Sequence, residues 1–202
     1  MRVRPIVAIV VSVVLVLVVL WLFWDKLYRE HPQPASIASD RDAAFLYGSI
    51  GNESDTGLPY WVAVVLPRVF GERYLPGPGG YAAVMPWEEG KELPVGFSKK
   101  RVGVDRVGFN CALCHMRDNS MRKTDIKGLA AFFTNSASDA RFNADTILTE
   151  IDLAYRLSVI DRVLYRGILI PASRDRLLAL GRQLMSPHTP GGWARSTPAT
   201  SR

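Results

Sequence analysis

Cysteine is almost absent. The 202 residues hold two, Cys111 and Cys114, too few for a disulfide framework. Histidine is nearly as scarce, with His31, His115 and His188, which leaves little material for a four-ligand structural zinc site. Blocks of one charge and long stretches of low hydrophobicity are missing, which excludes wholesale disorder. No repeat of about 20–50 residues is present, which excludes a solenoid. The longest run without Asp, Glu, Lys or Arg covers residues 5–24, and outside it the composition is that of an ordinary globular chain.

That run, Pro5 to Trp24, is dominated by Val, Leu and Ile. Twenty helical residues at about 1.5 Å each span about 30 Å, the hydrocarbon thickness of a bilayer. Arg2 and Arg4 precede it, while Asp25, Lys26, Arg29 and Glu30 after it cancel. The positive-inside bias keeps the N-terminus cytoplasmic and sends everything from Asp25 onward across the membrane. Trp21, Trp24 and Tyr28 fall where interfacial aromatic rings are favoured. A cleaved signal peptide is the competing reading. Its apolar region should be about 7–15 residues long with small residues directly behind it, and here Ala35-Ser36-Ile37-Ala38 comes well after the run ends. The expectation is a retained single-pass anchor, residues 1–24, in the inner membrane, with the remainder in the periplasm.

Residues 25–41 read as a linker, stiffened by Pro32 and Pro34. A short helix is expected over Asp42 to Tyr47. Leu58 to Phe70 is apolar but too short to span, hence a buried helix or strand that Pro67 should bend or end. Gly71 to Gly96, with Leu75-Pro76-Gly77-Pro78-Gly79-Gly80, reads as a long irregular wrap, of a kind that a bound cofactor would hold in place. Leu129, Phe132 and Phe133 mark a helix. Ile147, Ile151, Ala154, Leu157, Ile160 and Leu164 follow at spacings of three and four, which predicts one helix of about five turns, capped by Asn143 and closed by Pro171. Ser173 then caps a last helix carrying Leu177, Leu180 and Leu184. The expected fold is mainly α with long irregular loops, the domain covering residues 42–185. Residues 186–202 turn to Ser, Thr, Pro, Gly and Arg, an irregular tail.

Both cysteines lie in Cys111-Ala112-Leu113-Cys114-His115, the Cys-x-x-Cys-His attachment sequence of c-type haem. The spacing has a physical basis. Two thiols three residues apart add across the two vinyl groups on one edge of the porphyrin, and the next residue's imidazole is carried beneath the ring to the iron. Cys111, Cys114 and His115 are therefore the expected cofactor-binding residues, with His115 the metal ligand and one haem c covalently attached. A thioredoxin-like redox pair would need a strand and helix within a βαβ pattern, and residues 103–110 give no clear parallel-sheet context. A plain disulfide leaves the adjacent histidine unexplained.

Eight basic residues, Lys99, Lys100, Arg101, Arg106, Arg117, Arg122, Lys123 and Lys127, surround the motif against Asp105, Asp118 and Asp125. Such a collar neutralises haem propionates, steers an acidic redox partner, or is a solvated basic surface. Nucleic acid is not an expected partner for an exported, membrane-tethered chain. On the far side of the iron the sequence offers Met185 first, with His188, Met85 and His31 behind it; Met116 and Met121 lie too close to His115. An open coordination position is the alternative.

Five segments carry a resemblance: Tyr47-Gly48-Ser49-Ile50-Gly51-Asn52-Glu53, Leu58-Pro59-Tyr60-Trp61, Leu75 to Tyr81, Pro94-Val95-Gly96-Phe97-Ser98, and Val107 to His115. The stretch from Tyr47 to Pro171 resembles the N-terminal haem region of bacterial c-type cytochromes related to the di-haem cytochrome c peroxidases and the haem-containing rubber oxygenases. The resemblance implies a cytochrome c-like haem domain, with Cys111 and Cys114 attaching haem and His115 as proximal ligand. Members of that group are longer and carry a second Cys-x-x-Cys-His, which is missing here. The leading expectation is a membrane-anchored c-type cytochrome that binds haem and transfers single electrons to or from a redox partner protein, with no catalytic residue. The alternatives are a peroxidase- or oxygenase-type haem protein, or a truncated remnant of a di-haem enzyme, and a thiol–disulfide oxidoreductase using Cys111 and Cys114 directly.

Overall fold

A computed structural model of the chain describes residues 3–115 and 124–186, with side chains from Ile6 onward. The chain is mainly helical. The first helix, α1 (Val3–Tyr28), contains the one described segment, Ile6–Tyr28, that is long and apolar enough to cross a membrane. Its apolar side chains from Ile6 to Trp24 are exposed rather than packed on the rest of the protein.

The end of α1 is fastened. The Arg106 guanidinium donates to the carbonyl of Leu27 (3.2 Å), and the Gly103 N–H donates to that of Arg29 (2.7 Å). The linker is fastened as well. Glu30 bridges to Val102, His31 N–H reaches the Arg101 carbonyl (2.9 Å), and the Gln33 amide donates to Lys99 (2.8 Å). Gln33 Oε1 in turn accepts from Ser49 N–H (2.7 Å). Prolines hold this segment extended, so its backbone is free to bond a strand edge instead of itself. A short helix, α2 (Ala35–Ala38), interrupts it, and α3 (Arg41–Tyr47) follows with Asp40 as its N-cap.

Leu58–Pro59 forms a brief strand, β1, and leads directly into α4 (Tyr60–Tyr74). Val62, Val65, Leu66 and Phe70 on one face of α4 are fully buried, the spacing of a core-facing helix. Pro67 does not end α4. A proline there removes the hydrogen bond to the carbonyl of Ala63 four residues back; the Tyr81 hydroxyl donates to that carbonyl instead (2.9 Å). The wrap from Leu75 to Gly96 is irregular apart from a 3₁₀ turn at Gly80–Ala83.

Two strands follow, β2 (Phe97–Val102) and β3 (Val104–Phe109), paired antiparallel from Phe97↔Phe109 to Val102↔Val104 around Gly103. Gly103 has φ +71°, and a Cβ there would strike the carbonyl of Lys26. The sheet order is β1-β3-β2.

Past the single turn α5 (Ala112–His115), α6 (Ile126–Ser138) buries Leu129, Phe132 and Phe133 completely, as its spacing predicts. The five-turn helix expected from residue 147 to 164 is divided. Helix α7 (Ala144–Ala154), capped by Asn143, ends before an extended stretch, and α8 (Val159–Leu164) restarts at Ser158, whose hydroxyl accepts from Asp161 N–H (3.1 Å). Tyr155, inside the break, stacks on Trp61 with ring centroids 4.5 Å apart. A serine cap and an aromatic stack thus override a continuous apolar period. Pro171 opens rather than closes a helix: a π turn (Tyr165–Leu169) leads into α9 (Ile170–Met185), and proline is tolerated in its first turn. Ser173 is not the cap; it is buried, with its hydroxyl on the Leu169 carbonyl (2.6 Å). Helix α9 packs on α6 through Leu177 and Leu180, and at Gly181 a Cβ would lie 3.1 Å from the Ala130 carbonyl.

Candidate cofactor site

Strand β3 delivers the chain to Asn110, and Asn110 makes the corner. Its N–H donates to the Gly96 carbonyl (3.0 Å), its side-chain amide to the Gly48 carbonyl (3.2 Å), and its Oδ1 accepts from Ala112 N–H (3.0 Å). This is an Asx turn with every polar atom of the side chain used, as a residue only 6% exposed requires. The next residues close a single helical turn, α5 (Ala112–His115), in which Cys114 and His115 N–H both reach the Cys111 carbonyl (3.3 and 3.0 Å).

That turn is two-faced. Ala112 and Leu113 point inward: Ala112 is fully buried with Tyr47 and Val95, and Leu113 joins the main core. Cys111, Cys114 and His115 are exposed, and both cysteines are free thiols. The spacer residues fix the turn while the three chemically active side chains remain available. Gly96 permits this approach. It has φ +91°, and a Cβ there would lie 2.6 Å from Leu113 Cα, so any larger residue would collide with the turn's backbone.

Behind the corner lies a buried polar support. Asn52 donates to the Phe109 carbonyl (2.7 Å), and the fully buried Glu53 carboxylate accepts from the Ser49 and Ser98 hydroxyls. Gly108 leaves room for both, since a Cβ there would strike the Asn52 side chain and approach Glu53 to 3.0 Å. None of these supporting roles was read from the sequence, although an asparagine directly before the first cysteine is a turn signal.

Electrostatically, partial burial and the neighbouring Cys111 thiol push the Cys114 thiol up from its ordinary value. Three of the five described basic residues of the collar are committed. Lys99 pairs with Glu92 (2.8 Å), Lys100 pairs with Glu30 (2.9 Å), and Arg106 is buried on three backbone carbonyls. Burial and the nearby Arg176 charge lower the Arg106 pKa to about 10. Arg101 and Lys127 are exposed. Arg117, Asp118, Arg122 and Lys123 lie outside the described residues.

The distal candidates are dispersed. Met85 is buried in the core, His31 lines a cavity of about 550 Å³ beside Tyr47, and Met185 stands 57% exposed at the end of α9. Met116, Met121 and His188 lie outside the described residues. Among the described residues, no group of three or more His, Cys, Asp or Glu side chains is arranged to hold a bare metal ion. The donor set at α5 fits haem c: two reduced, accessible thiols one helical turn apart with an accessible imidazole beside the second. No protein-family model, curated protein or solved structure matches the chain.

Proposed function

We propose that the chain is a membrane-anchored c-type cytochrome that carries single electrons, with Cys111 and Cys114 attaching haem and His115 binding its iron. The observation that carries this reading is the two-faced turn: Ala112 and Leu113 buried, Cys111, Cys114 and His115 exposed. A bound haem c supplies a reversible one-electron couple. The chain's own residues hold the attachment turn still through Asn110, Gly96 and the Glu53 support, so little reorganisation accompanies a change of charge there.

The anchor reading places the domain on the periplasmic face of the inner membrane, with an acidic redox protein as the partner matched to the chain's net charge of +6. The thiol–disulfide reading is disfavoured by one observation: the strand before the motif belongs to an antiparallel hairpin rather than a βαβ unit.

The test is optical and covalent. Membranes from cells equipped for cytochrome c maturation should give a c-type pyridine haemochrome spectrum, and the full-length band should retain haem stain after denaturing electrophoresis. The double substitution Cys111→Ser/Cys114→Ser should remove the stain. A wild-type protein that matures without covalent haem would return the cysteines to redox chemistry.

A further inference from the structure

The strip of side chains beside the end of α1 is apolar and uncovered. Leu153, Tyr155, Val159, Ile160 and Val163 are exposed, Val159 at 79% and Leu153 at 73%. Val159 and Val163, four residues apart, share one side of α8 with Ile160 next to them, while Leu164, at the edge of that side, is buried in the core. Leaving five large apolar groups in water is unfavourable, at roughly 25 cal/mol for each Å² that could be covered.

We propose that this strip is a second membrane contact, seated in the interfacial layer of the leaflet from which α1 emerges. The proposal rests on the reading of α1 as a retained anchor. Lys26 lies two residues past Trp24, about 3 Å further along the helix, within the interfacial layer of a bilayer whose apolar core ends near Trp24. Its ammonium pairs with Asp161 of α8 at 3.1 Å. Asp161 is flanked in sequence by Ile160 and Arg162, so this bond sets α8 at the depth of the headgroups.

The domain has little freedom to swing away, because Arg106 bonds the Leu27 carbonyl in the last turn of α1 and Gly103 bonds that of Arg29 just beyond it. The composition of the strip suits an interface. Tyr155 has the amphipathic ring favoured there, and Arg156 stands exposed beside it, placed to meet a lipid phosphate, while Arg162 and Arg166 pair with Asp152 (2.8 Å) and Asp145 (2.6 Å). A second protein is the weaker occupant. Five side chains fall far short of the roughly 20–30 residues a side of a stable protein interface, whereas a bilayer already lies beside them.

Photo-cross-linking of the full-length protein in native membranes tests this. Benzoylphenylalanine is placed, in separate variants, at Ile160, at Leu15 within α1, and at the exposed Lys127 of α6. The expected result is a mass shift of one phospholipid at positions 15 and 160 and none at 127. A lipid adduct at 15 without one at 160, equal labelling at 160 and 127, or a protein adduct at 160 overturns the contact while leaving the anchor standing. Loss of the lipid adduct at 15 overturns the anchor reading and the contact with it.

Discussion

Tyr81 supplies the hydrogen bond that Pro67 withholds. The carbonyl of Ala63, which a residue with an N–H at position 67 would satisfy, instead accepts from the Tyr81 hydroxyl at 2.9 Å in the buried core. Burial holds the phenol in its neutral, donating form by raising its pKa. A helix that proline would otherwise break is completed from the irregular wrap, and the wrap is pinned to the helix by the same bond.

This pairing predicts a non-additive double-mutant cycle. Tyr81→Phe should cost about 1–3 kcal/mol, because a buried carbonyl is left without a partner. Pro67→Ala restores the backbone donor, so Tyr81→Phe should cost clearly less when made in that background. Urea unfolding of the four detergent-solubilised proteins measures the coupling. Equal costs in both backgrounds would show that Tyr81 acts through ring packing alone.

A second prediction concerns Gly96. Gly96→Ala forces a Cβ against Leu113 and demands a left-handed backbone from alanine. Gly90 has φ +76° but open space around it, so Gly90→Ala carries the backbone penalty without the collision. The ratio of covalent haem to protein should fall in Gly96→Ala and stay near wild type in Gly90→Ala. Equal yields would mean that the position of the attachment turn does not govern haem loading.

Much of this was legible in the sequence, and the misses have physical reasons. The apolar run of α1, the buried Leu129, Phe132 and Phe133, and the Asn143 cap all follow from local chemistry. The hairpin before the motif was hidden because its strands carry Lys99, Lys100, Arg101 and Arg106, of which Lys100 reaches Glu30 and Arg106 reaches the Ser54 and Leu27 carbonyls, all distant in sequence. The same holds for Pro67, whose breaking effect is offset by a residue 14 positions away. The division of α7 from α8 depends on Trp61 receiving Tyr155, a contact no periodicity reveals. The support behind the motif joins Ser49, Asn52 and Glu53 to Ser98, Gly108 and Phe109, residues that only the folded sheet brings together.

A third prediction is acid sensitivity at Asp139. Its carboxylate accepts from the Arg141 backbone N–H (2.8 Å), the Arg141 guanidinium (3.0 Å) and the Tyr74 hydroxyl (2.9 Å). The hydrogen bonds from Arg141, above all, hold its pKa well below the usual carboxylate range. A lowered native-state pKa means the unfolded chain takes up the proton first. The stability from Asp139 is therefore complete above about pH 4 and drains away as pH falls from there through the depressed native value. Asp139→Asn should be less stable than wild type at neutral pH, and the gap should close as the solution is acidified. A gap independent of pH would assign the effect to lost geometry rather than to charge.

The last prediction concerns the second axial position, which separates an electron carrier from a ligand-binding enzyme. Among the described candidates, Met85 is 2% exposed and Met185 57%. Met85 is held by packing, so recruiting it would open the core, at a cost of several kcal/mol for a large buried side chain. Met185, at the end of α9, is exposed and free of such packing, so the test is made on Met185. With Met185 as ligand the ferric protein should be low-spin and show the weak far-red charge-transfer band of His/Met ligation, and the potential should be raised because thioether favours the ferrous state. Carbon monoxide should bind the reduced protein poorly. Met185→Ala should abolish the band, admit carbon monoxide and leave covalent haem staining intact, because attachment depends on Cys111 and Cys114. A wild-type protein that is high-spin and takes up carbon monoxide readily would place the site with peroxidase-type chemistry instead.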